Sequence, residues 1–163
     1  MLLHQLHTQL EKSQVFKEFK NKNPEAFLCA GFFILNFKNN IYDYSFDYRT
    51  EQEIFTFKVP VAGEIIMLQE PILDQQKPLE KINLDVQIDI NDLRDLVEKE
   101  LRLSGIKNKI EEIISVLQVI NGRQIWNLTV MCEGFAIITI HIDAESGKLL
   151  KLEKKNLFDF MKK

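Results

Sequence analysis

Few residues of this 163-residue chain have the types and spacing that chemistry needs. His4 and His7 stand three apart in a leucine-bearing segment, and His141 lies two residues before Asp143 and four before Glu145. A histidine beside carboxylates is the minimal set for general acid–base work, with imidazole moving a proton and the acid setting its tautomer. Three histidines could also hold zinc if they converged, but no cysteine or carboxylate stands beside them at ligand spacing. We therefore expect no metal and no cofactor. Asp143 opens the turn sequence Asp-Ala-Glu-Ser-Gly, where its side chain is well placed to bond its own backbone. No catalytic residue is assigned on this basis. His141, Asp143 and Glu145 are the candidates retained, and binding residues are not specified.

Cys29 and Cys132 sit in apolar segments without CxxC spacing and read as reduced, buried small hydrophobes. No apolar run at the start has the length of a signal peptide, and the longest, residues 26–35, is too short to cross a bilayer as a helix. The expected compartment is the cytoplasm, without stable membrane insertion. No GxSxG, HExxH or phosphate-cradling glycine loop occurs. With 21 basic and 24 acidic residues the net charge is −3, which gives no global field for a polyanion. The first 80 residues are rich in aromatics that could stack bases, yet they hold 8 basic and 11 acidic residues. Core packing is the better use of those rings, and no nucleic-acid partner is expected.

The elements that would position these residues follow from periodicity. Leu3, Leu6, Leu10, Phe16 and Phe19 predict one amphipathic helix over residues 2–22, stopped by Asn23-Pro24. Strands are predicted at 26–37, 41–49, 54–59 and 64–68. The clearest is Tyr42, Tyr44, Phe46 and Tyr48 alternating with Asp43, Ser45, Asp47 and Arg49. Residues 69–81 are polar, contain Pro71 and Pro78, and read as a linker. Residues 82–90 alternate as an extended arm laid along something apolar. A second helix follows Asn91, with Leu93, Leu96, Val97 and Leu101 on its buried stripe and Gly105 at its end. Residues 109–120 fit a helix or a strand, and their β-branched content with the Asn121-Gly122 turn favours a strand. Strands led by Trp126, Ile138 and Leu149 complete the series, and the tail from Lys154 is read as a short helix.

Both halves thus read as one helix followed by four strands, with residues 55–59 lying over 138–142 at an offset of 83. This predicts an internal duplication. The second half also resembles the PepSY family of small cystatin-like domains. The likeness is carried by Trp126-x-Leu-x-Val and by Ile140-x-Ile142-Asp143-x-x-x-Gly147-Lys148, over roughly residues 91–155. In the first half Pro60 replaces the Asp and the turn is shorter. The resemblance implies a non-catalytic binding or regulatory module.

The expected fold class is therefore α+β, with two tandem cystatin-like units, each one helix on a curled four-stranded antiparallel sheet. Their bounds are residues 1–70 and 91–163, with a linker and arm at 71–90, packed as one body. The expected function is a non-enzymatic interaction module whose partner is another protein or a second copy. The alternative is a small enzyme or ligand-binding protein with a pocket on the sheet near His141 and Asp143.

Overall fold

In a computed structural model that describes residues 2–72 and 80–156, the eight expected strands form, but in one sheet rather than two. They are β1 (Phe27–Asn36), β2 (Ile41–Arg49), β3 (Glu53–Lys58), β4 (Ile66–Pro71), β5 (Ile110–Ile120), β6 (Arg123–Cys132), β7 (Ala136–Asp143) and β8 (Leu149–Asn156). The order is β4-β3-β2-β1-β5-β6-β7-β8, antiparallel throughout. The expected pair of separate four-stranded units is therefore wrong, and the duplication inferred from them does not stand. The decisive contact is β1 against β5, running from Gly31 opposite Leu117 to Asn36 opposite Glu112. Two separate sheets would leave both strands as open edges with rows of unpaired N–H and C=O groups; joining them satisfies both rows at once.

Helices cover one face. The expected single helix over 2–22 is two, α1 (Leu2–Glu11) and α2 (Gln14–Lys22). Ser13 divides them: its Oγ accepts from the Phe16 N–H at 3.2 Å and donates to the Leu10 carbonyl at 2.6 Å, so it caps the second helix. Phe16 and Phe19 then pack edge-on and tilted against Tyr48, Phe55 and Phe57. Phe46, Tyr48, Phe55 and Phe57 are buried there, while Tyr42 and Tyr44 are partly buried. These four rings are core and offer no base-stacking surface. Helix α3 (Leu93–Leu103) buries Leu93, Val97 and Leu101. One continuous apolar core takes side chains from all three helices and both halves of the sheet.

The arm lies on that same face without joining the sheet as a strand. Ile82, Leu84, Val86, Asp89 and Ile90 are buried, Ile88 is partly buried, and Asn83, Asp85 and Gln87 are exposed. Its fastenings are long-range. The Ile82 N–H donates to the Leu28 carbonyl, the Gln124 side chain bonds both backbone groups of Asn83, and the Trp126 indole donates to the Ile88 carbonyl at 2.8 Å. Asp89 closes the arm, accepting from the N–H groups of Ile90 and of Leu3 at the start of α1.

Strand ends differ from expectation in two places. β4 runs to Pro71, into the segment read as linker, whose residues 73–79 lie outside the described ones. Residues 154–156 continue β8 rather than opening a helix, and the rest of that predicted helix, 157–163, lies outside the described residues.

Candidate functional site

Strand parity fixes what the face away from the helices displays. One cross-strand row runs through all eight strands: Ile66, Lys58, Ser45, Phe32, Val116, Asn127, His141, Lys151. At a strand spacing of about 4.8 Å it spans about 34 Å. The row beside it holds Asp43, Ile34, Ile114, Thr129, Thr139 and Glu153. The centre of this face is therefore apolar, with lysines toward both ends, and no described element covers it. Phe32 is 38% exposed and Ile66 55%.

At the first-half end the face deepens into a cavity of about 340 Å³. Phe32, Ile34 and Ile66 line it from the strands, Val59 and Pro60 from the chain leaving β3, and Tyr44 from β2. Pro60 has no N–H for the ladder, so pairing stops at Lys58 and the chain leaves the sheet before returning as β4. Asp43, Ser45, Lys58 and Glu64 supply polar atoms to the wall. Burial, with Tyr42 nearby, raises the Tyr44 phenol above its ordinary range, so it stays a neutral donor. The volume suits one aromatic ring or a branched apolar group.

The residues singled out from sequence fall elsewhere. His141 is on the open face and lines a shallow cavity with Ile120, Arg123, Ile125 and Leu150. Burial and the opposing Lys151 lower its pKa, which favours neutral imidazole. Asp143 gives it no help. Its Oδ1 accepts from the N–H groups of Glu145 and Ser146, both at 2.9 Å, and its Oδ2 lies 3.7 Å from Arg123 Nε. The bonds from Ser146 and Glu145 hold the carboxyl below its usual range. It serves as the turn former, and Glu145 is exposed. The structure thus brings no acid–imidazole pair together at this point.

Cys29 and Cys132 are both buried and unpaired. Burial, with Asp47 nearby, pushes the Cys29 thiol up to about 12, far from a reactive thiolate. No group of metal-ligating residues converges among the described residues, and no helix among them is long and apolar enough to cross a membrane.

His7 is where sequence reading misses most. Its place in a leucine-bearing helix names no partner, yet it is half-buried between helix and sheet. Its Nδ1 lies 3.2 Å from Glu11 Oε1 and its Nε2 2.5 Å from the Tyr48 hydroxyl, with its ring stacked on Tyr48 and edge-on to Phe46. Its spacing from Glu11 is visible as an i, i+4 pair, but Tyr48 is 41 residues away.

No family model matches this chain, nor does any curated protein. A solved structure does. It is a protein described as "a putative lipoprotein" from Clostridium difficile 630, with a TM-score of 0.59 and 16% identity over 86% of this chain and 90% of that one. At that identity the likeness is one of fold. It says nothing of the PepSY resemblance; what the single eight-stranded sheet overturns is the expected pair of separate units.

Proposed function

We propose that this chain is a non-catalytic binding protein and that the open sheet face is its binding surface. The partner is a protein segment that lays apolar residues over Phe32 and Val116 and seats one aromatic or branched side chain in the cavity beside Phe32. The observation that carries this reading is the uncovered cross-strand row, apolar at its centre and continuous with that cavity. Its length of about 34 Å exceeds what a small ligand needs and suits a macromolecular contact. Catalysis near His141 has no such support, because the nearby carboxylate is committed to a turn. The cytoplasm remains our reading of its compartment, resting on two cysteines that stay unpaired, and fractionation of cells producing the protein tests it.

The binding test is comparative capture. The native chain and a Phe32→Lys/Val116→Lys variant are used side by side, with Lys17→Glu on the helical face as a control. The reading expects a partner held by the native chain and the control and lost by the double variant. Equal capture by all three, or capture lost only in the control, would overturn it.

A further inference from the structure

A second cavity, on the helix-covered side of the sheet, has a different chemistry. It measures about 650 Å³ and lies where α1, the end of α2, the start of β1 and the arm meet. Its polar lining is His4, His7, Lys20, Lys81, Asn83 and Gln124, with the Tyr48 hydroxyl behind His7. The lining contains no carboxylate, in a chain whose acids outnumber its bases. We infer that this cavity is an organic-anion site, taking a carboxylate or phosphate head attached to an apolar body.

Two acids bond the histidines of the lining. Glu11 is held by His7 Nδ1 at 3.2 Å and Asp85 by His4 Nε2 at 2.9 Å. Each of these carboxylates is turned toward a histidine, and neither lysine forms an ion pair with the described residues. Lys20 gives one of its three hydrogens to the Ala26 carbonyl at 2.9 Å, which fixes the ammonium at the wall and leaves two donors. Lys81 forms no hydrogen bond or ion pair with the described residues. The Gln124 amide is spent on the Asn83 backbone and holds that wall rigid. His7 has both ring nitrogens engaged and supplies surface rather than a donor.

The remaining lining is apolar: Ala26, Phe27, Leu28, Ile82 and Leu84. Cations at the wall above an apolar floor match an amphiphilic anion and do not match a bare inorganic one. An ammonium meeting an anion forms a charge-assisted bond, about twice as strong as a neutral one. This site shares no residue with the open-face surface, so the two proposals stand or fall separately.

The test is a titration of the full-length, ¹⁵N-labelled chain followed by amide shifts. The probes are phenyl phosphate, benzoate, inorganic phosphate and benzyl alcohol. Phenyl phosphate or benzoate is expected to shift residues 4, 20, 26–28, 81–84 and 124, and the tighter of the two identifies the head group. Benzyl alcohol is expected to leave those amides unmoved. Lys81→Gln should weaken binding about threefold, and Lys20→Gln/Lys81→Gln about tenfold, which corresponds to 1.4 kcal/mol. Lys81 is exposed, so the single variant folds and carries the test if the double does not. No shift by either organic anion at about ten millimolar, a weak regime for any site, would overturn the inference. So would equal binding of inorganic phosphate, or affinities indifferent to both lysines.

Discussion

His7 takes its behaviour from groups on three elements: Glu11 and His4 on its own helix, Phe16 on α2, and Phe46 and Tyr48 on β2. Burial is the largest influence and lowers its pKa from 6.5, against the opposing pull of Glu11. His141 is lowered too, by burial and Lys151. A histidine with a depressed folded pKa binds fewer protons when native than when unfolded, so stability is fully present above 6.5 and is lost as pH falls below it. We therefore expect urea midpoints to fall between pH 7.5 and pH 5.5, and to fall less in His7→Gln than in the native chain. Identical profiles for the two proteins would refute the role given to burial. Only the spacing from Glu11 is legible in the sequence, where a leucine-flanked histidine on a helix says nothing of a phenol on a distant strand.

Elements were more legible than residues. The Tyr42–Tyr48 alternation and the Ile138–Ile142 alternation each mark a strand, because period two is the pleat itself. The arm's alternation at Ile82, Leu84 and Val86 equally marks burial on one side, but not that the segment crosses the face instead of pairing. Pairing needs an open edge, and the arm meets one only at the start of β1, where β5 does not reach and the Ile82 N–H bonds the Leu28 carbonyl. What fixes it is Trp126, fully buried with its indole N–H on the Ile88 carbonyl. Trp126→Phe removes that donor and leaves the carbonyl with one partner fewer. The cost should be about 1–3 kcal/mol by chemical denaturation. Amide exchange should quicken across residues 82–90 before it does in β6. Exchange quickening uniformly across the chain would show that the indole acts on packing and not on the arm.

The whole molecule departs furthest from its sequence reading, and the reason is physical. Turns announce which neighbours in sequence will pair, as Asn121-Gly122 does for β5 and β6, both residues having positive φ. No turn announces β1 with β5, since 86 residues separate Gly31 from Leu117. The open face depends on that same pairing and was equally hidden, whereas the cavity beside Phe32 is built within the first half alone. One sheet and one core predict one cooperative unfolding transition, with fluorescence of Trp126 and far-ultraviolet dichroism falling together. A fragment ending at residue 79 should self-associate through the bared edge of β1. Two separated transitions, or a monomeric folded fragment, would show instead that the halves fold independently.

The β1–β5 pairing also sets a schedule. At synthesis rates of 5–20 residues per second, β1 leaves the ribosome roughly 4 to 17 s before its partner. For that interval a Phe-rich edge has no mate, far longer than the microseconds in which hairpins form. The central seam of the finished sheet is thus sewn only after the whole first half and the arm have been made, and the nascent chain is most vulnerable at the strand that later becomes most enclosed.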